Sequence, residues 1–318
     1  QERVGTLEKI VFQKIVLRWI IKFIWLILII GGMMLADNLS IIQCHILFDD
    51  DRGKSRLEHQ KSWKGIPSFG KIFEDCDFFV NYKTKTFLEE IKETYEKYIK
   101  NVNLYNNLEG PDFNWTAIKL ALVQESTTPY VMFSTEDRMF HKTTREEFER
   151  LMQDVIDNNV QYMPIGKLDH LSVGSRYTEE ELLKPMMVHG VTCDKSKIYR
   201  DSGKELYLFE AKNAPVKMTS FSADAIYSRE LILSKLEEMV NVYGLKTVSP
   251  NAGLTQNTSK YFEDYYTDQY GNGIRQCGDM MCAVPKRELI VSDETPGEKL
   301  GTLEETPKDI LEYDVRIK

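Results

Sequence analysis

Two adjacent carboxylates, Glu136 and Asp137, follow an apolar stretch that runs from Pro129 through Tyr130-Val131-Met132-Phe133 to Ser134-Thr135. In open α/β sheets, ligands bind outside the carboxyl ends of the strands. Two hard oxygen ligands at such a place are what a divalent cation holding a diphosphate needs. Arg138 comes next. Its planar guanidinium can grip a phosphate through two parallel hydrogen bonds, or pair with a neighbouring acid. Upstream, the stretch from Asp112 to Gln124 sets Trp115, Ile118, Ala121 and Leu122 at the spacing of one helical face. Ser126 to Pro129 then supplies a turn. The expected unit is helix, turn, strand, acidic pair. An isolated acidic pair reads as a surface turn, so it is the order of elements that gives this one chemical meaning.

That order resembles the centre of a GT-A nucleotide-sugar glycosyltransferase of the family-2-like kind, which sets a helix before the strand carrying its acidic, metal-binding motif. The resemblance runs from about Leu39 to about Cys282 and consists of architecture plus one motif, without continuous identity. It implies an α/β fold with a mixed, mostly parallel sheet flanked by helices. It also implies a nucleotide-sugar donor, a glycan or lipid-linked acceptor, and a divalent metal (Mn²⁺ or Mg²⁺) on Glu136 and Asp137. The family's usual form is Asp-x-Asp or a short acidic run. Ser134-Thr135-Glu136-Asp137-Arg138 departs from it, which leaves one carboxylate to hold the metal and the other to contact the sugar.

Inverting transfer needs a carboxylate to take the acceptor hydroxyl's proton. The family often carries this base in an x-Glu-Asp element after the metal motif. Phe262-Glu263-Asp264 has that form and lies among Tyr261, Tyr265 and Tyr266. Rings there suit a sugar and raise a carboxyl pKa by desolvation. Asp264, with Glu263 beside it, is therefore the first candidate. Asp224, at the expected start of a helix, is the second, and Asp279 the third; each also reads as a helix cap or a solvated acid. Asp49, Asp50 and Asp51 follow the first expected strand, where the family contacts the base or ribose, and Asn81 ends the next strand. A solvated acidic turn accounts for the three aspartates equally well.

Other chemistries drop out. Arg52-Gly53-Lys54-Ser55 looks like the end of a phosphate-binding loop, but Phe48 stands where the required first glycine belongs. No Gly-x-Gly-x-x-Gly follows a strand. His45, His59, His141, His170 and His189 form no ligand pattern, and core or surface roles suit them. The five cysteines include no Cys-x-x-Cys pair, and their odd number fits reduced thiols rather than a zinc site. A formal net charge of −8 argues against a chain-wide nucleic-acid footprint.

Residues Phe23 to Leu35 are uninterrupted apolar sequence around Gly31 and Gly32. Extended back to Ile15, the stretch reaches about 20 residues, enough to span a bilayer. Arg18 and Lys22 interrupt it but can snorkel to an interface. With Lys9 and Lys14 they form a basic flank, as in a signal anchor or signal peptide; a buried or interfacial helix is the alternative. The flank predicts a catalytic domain outside, whereas free cysteines and cytosolic sugar nucleotides predict one inside. The reading taken is a cytosolic catalytic domain at a membrane.

The expected domains are an apolar helix over 1–36, a catalytic domain over 37–284 and a charged tail over 285–318. The catalytic domain divides into a nucleotide half, 37–142, and an acceptor half, 143–284. Strands are expected at Leu39–Phe48, Phe78–Tyr82, Val102–Tyr105 and Val160–Ile165. Helices are expected at Lys54–Trp63, Phe87–Ile99 and Arg229–Val242. Thr144 with Glu147 three residues on predicts a capped helix to Asn158. Gly65, Pro67 and Gly70 mark a loop, and Asp201 to Lys204 a tight turn between short antiparallel strands. The enzymatic alternative is a nucleotidyltransferase of related fold, but its glycine- and arginine-rich loop is missing from Phe48 to Gly53. The non-enzymatic alternative is a membrane-tethered carbohydrate-binding or interaction protein in which Glu136 and Asp137 are structural.

Overall fold

Apolar runs rich in β-branched and aromatic residues, separated by amphipathic segments, build strands with helices on their faces. The structure is a computed structural model. It describes residues 34–47, 49–106, 112–113, 115–134, 138–140, 143–165, 186–188, 191–193, 200–213, 221, 224–242, 244–245, 253–254, 274, 277–286, 289 and 291–292. A helical turn, α1 (Leu35–Asn38), enters β1 (Leu39–Ile46). Next come α2 (Asp51–Lys61), α3 (Ile66–Phe73), β2 (Asp77–Lys83), α4 (Leu88–Tyr98), β3 (Asn101–Tyr105) and β4 (Asp112–Phe113). The chain continues with α5 (Trp115–Glu125), β5 (Tyr130–Ser134), β6 (Arg138–Met139), α6 (Arg145–Asp157) and β7 (Tyr162–Pro164). The rest comprises β8 (Met186–Val188), β9 (Val191–Cys193), β10 (Arg200–Asp201), β11 (Leu206–Glu210), β12 (Ala225–Ser228), α7 (Arg229–Val242), β13 (Gly253–Leu254), β14 (Met281–Pro285) and β15 (Val291–Ser292).

Among the described residues, nine strands form one sheet in the order β10-β11-β14-β7-β12-β5-β1-β2-β3. Strands β5, β1, β2 and β3 are parallel neighbours. Only β11 and β12 run against the rest. This is the mixed α/β sheet that the resemblance implied.

Successive strand residues face opposite sides. Ile42, Cys44, Phe79, Val131 and Phe133 join residues of α5 and α7 in one core. Phe78 points the other way, with its ring 6.4 Å from that of Phe69 on α3 and 6.2 Å from that of Tyr95 on α4. Phe73, Phe140 and Phe148 extend this second cluster through edge contacts. Packed between sheet and α7, helix α5 is buried on every side from Thr116 to Val123, not on one face alone.

Three elements differ from the sequence expectation. The expected loop over 65–70 is helix α3 instead. Gly65 is its N-cap, and Pro67 sits in the first turn, where its missing N–H is not needed. Gly70 is the contact point with the end of α4, since a Cβ there would lie 2.7 Å from the Tyr98 side chain and carbonyl. Residues Ala225–Ser228, expected only to lead into a helix, form β12 in mid-sheet. Part of the expected tail is built in as well, for Leu289 is buried and Val291–Ser292 pair with Arg138–Met139.

The expected Thr144–Glu147 capping box is present on α6. So is the turn before β11, with Gly203 at φ +81°. Buried Asp154 of α6 ties that turn down by accepting from Ser202 Oγ at 2.6 Å and Glu205 N at 2.9 Å.

Arg145, at the start of α6, donates to both carboxylate oxygens of Asp75 at 2.7 and 2.9 Å, and to Glu149. These bonds hold the Asp75 carboxyl below its ordinary range against the opposing effect of burial. A depressed folded pKa stabilises above the unfolded value of about 3.9 and loses that contribution as pH falls through the folded value. Asp75→Asn is therefore expected to lower stability at pH 7 by about 2 kcal/mol. Chemical denaturation from pH 7 downward should show the gap to wild type closing below about pH 4. A gap independent of pH would assign the loss to packing.

Candidate functional site

The parallel arrangement brings the ends of β1, β2, β3 and β5 to one edge. All five residues of β5 are buried, so the strand is fixed up to Ser134. After residues 135–137 the chain is fixed again, because Arg138 and Met139 pair with Ser292 and Val291. Beyond them, Phe140 N donates to Ser68 Oγ at 3.3 Å and Thr143 Oγ1 to the Leu289 carbonyl at 3.1 Å. Glu136 and Asp137 fall in sequence between these two fixed segments. They lie outside the described residues, as does the Arg138 side chain.

Strand β12 delivers Asp224 to the same edge. Ala225 pairs with Phe133, so Asp224 stands across from the end of β5. It precedes strand β12 rather than a helix. It is 1% exposed, and its carbonyl accepts from Ile165 N at 3.1 Å. Asp264 and Glu263 lie outside the described residues. Asp279 precedes β14, which runs parallel to β7, so it sits at the opposite edge of the sheet. There it pairs with Lys212 at 2.6 Å, which holds its carboxyl below the usual range. An exposed, acid-shifted carboxylate at the wrong edge is a poor base.

The acids after β1 have local partners. Asp49 accepts from the backbone N–H of Thr86 at 3.0 Å and from its hydroxyl, joining the loops after β1 and β2. Asp50 is the N-cap of α2, accepting from Arg52 N at 3.0 Å and Gly53 N at 3.1 Å. The Gly53 amide and the Arg52 guanidinium hold its carboxyl below the ordinary range. Asp51 lies exposed in the first turn of α2. Asn81 is buried between Cys44 and Tyr105 in register. The Cys44 thiol, pushed up to about 12 by burial, stays protonated.

Sequence reasoning passed over Lys119. It lies inside α5 and is 4% exposed, with its ammonium 4.6 Å from the centre of the Phe133 ring and 4.9 Å from that of Trp115. The available signal was a lone charge within the run from Trp115 to Val123. Among the described residues, no three His, Cys, Asp or Glu side chains gather as a metal site.

No protein-family model matches the sequence, and no curated protein matches it. Solved structures do. S. aureus TarS 1-349 is 12% identical over 80% of this chain, with a TM-score of 0.43. The chain spans 60% of that TarS chain and 36% of a longer TarS chain. The 4-diphosphocytidyl-2C-methyl-D-erythritol synthase of Anaerococcus prevotii is 12% identical over 89% of this chain and 96% of its own, with a TM-score of 0.38. The mannosyltransferase PcManGT of Pyrobaculum calidifontis, solved with GDP-Man and Mn²⁺, is 10% identical over 74% of this chain and 58% of its own, with a TM-score of 0.34. At such identities the likeness concerns the course of the chain and not its chemistry. The sheet order, with β12 set antiparallel beside β5, is that of a mixed α/β fold flanked by helices.

Proposed function

We propose that this chain is a glycosyltransferase that moves a sugar from a nucleotide-sugar donor to a glycan or lipid-linked acceptor, with inversion. One observation carries the reading: buried strand β5 ends with Ser134 at the carboxyl edge of the parallel strands, and Glu136 and Asp137 follow it in the sequence. Their carboxylates are the hard oxygen donors that suit Mn²⁺ or Mg²⁺. Such an ion, when bound, neutralises charge on the leaving nucleoside diphosphate. Arg138 is the proposed phosphate contact. Asp49, Asp50 and Asn81, at or near the ends of β1 and β2, are proposed to bound the nucleoside side. Asp264 is the proposed acceptor base, with Glu263 beside it. Asp224 is its competitor, favoured by burial at the same edge.

Calorimetric titration with UDP, GDP and CDP, with and without Mn²⁺, tests the reading. Nucleotide binding that the metal strengthens is expected. Absence of binding for all three would instead favour a non-catalytic role with structural acids.

We further propose that the apolar stretch 15–35 associates with membrane. It lies almost wholly outside the described residues, among which no helix is long and apolar enough to cross a bilayer. Fractionation should find the full chain in the membrane pellet and a chain starting at Asp37 in the supernatant. If both stay in the supernatant without detergent, the stretch is a packing helix.

A further inference from the structure

We propose that residues 289–292, from the stretch expected to be a tail, are a positioning element for the proposed metal pair; this rests on the metal reading above. Arg138 follows Asp137 directly, and Arg138 and Met139 form β6. Upstream of the acids, β5 is held by β1 on one side and β12 on the other. Downstream, among the described residues, β6 pairs with β15 alone, Met139 with Val291 and Arg138 with Ser292. The backbone just after the acids is therefore fixed by residues from far along the chain.

A two-stranded ribbon is marginal in isolation. Burial supports this one, for Met139 is 7% exposed and Leu289 1%. Thr143 is buried as well, and its hydroxyl donates to the Leu289 carbonyl at 3.1 Å. Phe140 is anchored separately. Its amide donates to Ser68 Oγ at 3.3 Å, and its ring lies 5.1 Å from that of Phe69 and 5.0 Å from that of Phe73, all on α3. Helix α3 thus fixes residue 140, and residues 289–292 fix the two residues between it and the acids. Two adjacent carboxylates suit a hard divalent ion, but a working site holds its groups within about 0.5 Å of the productive geometry. Acids that are neighbours in sequence take that geometry from their own backbone. Loss of groups that orient metal ligands typically costs roughly 10- to 100-fold in metal affinity.

The test uses the full chain and whichever of UDP, GDP and CDP binds most tightly. It reads the Mn²⁺ concentration at the midpoint of the metal's effect on nucleotide affinity, together with the affinity in EDTA and the thermal midpoint. Leu289→Ala is expected to raise that Mn²⁺ concentration roughly tenfold or more and to leave affinity in EDTA unchanged. Thr143→Val, which removes the hydroxyl held by the Leu289 carbonyl, should shift it in the same direction. Thr143→Ser, which keeps the hydroxyl, should stay near wild type. If Leu289→Ala fails to fold, the two Thr143 variants decide. Folded variants with lower thermal midpoints but a wild-type response to Mn²⁺ would make 289–292 a structural strap only, overturning the positioning role while leaving the metal reading intact. If Mn²⁺ does not strengthen nucleotide binding by wild type, the metal reading falls and the positioning role with it.

Discussion

Replacing Asp137 by alanine is expected to abolish sugar transfer in a protein that still folds. If the acid pair holds the metal, the variant loses charge neutralisation on the departing diphosphate, an effect worth several kcal/mol at the transition state. A loss of about 4 kcal/mol corresponds to roughly 10³-fold in rate. Stability should change little, because the packed elements lie on either side of residues 135–137, in β5 before them and in β6 and α6 after them. The measurement pairs release of nucleotide from a sugar donor with the thermal midpoint and with nucleotide affinity in Mn²⁺. The expected variant has wild-type stability, no transfer, and nucleotide binding that Mn²⁺ no longer strengthens. Full turnover by folded Asp137→Ala would remove the metal role from this residue.

The elements legible in the sequence are those whose signal is local. Strand β5 is a short apolar run behind a proline turn, α4 is an amphipathic repeat, and the start of α6 is fixed by Thr144 and Glu147 within one turn. Elements set by distant contacts were hidden. Gly65, Pro67 and Gly70 carry the composition of a loop, and only the approach of Tyr98 turns Gly70 into a helix-packing residue. Ala225-Ile226-Tyr227-Ser228 is a strand because β5 and β7 supply its hydrogen bonds on both sides. The same division runs through the candidate site. The acid pair stood out because the strand before it, β5, carries a local signal; the pair itself lies outside the described residues. Asp50 was ambiguous because an acid after a strand serves a helix cap as readily as a ribose, and here it caps α2. Lys119 passed unnoticed because a lysine in a helix ordinarily points to solvent, and only the cover of α7 and the sheet buries this one.

Asp264→Asn is expected to keep nucleotide affinity and to lose roughly 10²-fold or more in transfer rate. A base touches the acceptor's proton as the bond forms, so its removal acts on the transition state and not on donor binding. Asp264 matches the x-Glu-Asp form and is flanked in sequence by Tyr261, Tyr265 and Tyr266, aromatic residues of the kind that suit a sugar. Asp224 has the opposite credentials. It lacks the motif, but it is buried across from the end of β5, at the edge where the reaction is proposed. The two asparagine variants therefore have to be measured together, each for rate, for donor affinity and for thermal midpoint. Loss of rate at Asp264 alone, with Asp224→Asn lowering only the midpoint, assigns Asp264 as base and Asp224 as a support of β12. An active Asp264→Asn beside a folded but dead Asp224→Asn moves the base to Asp224, and the tyrosines around 264 become packing.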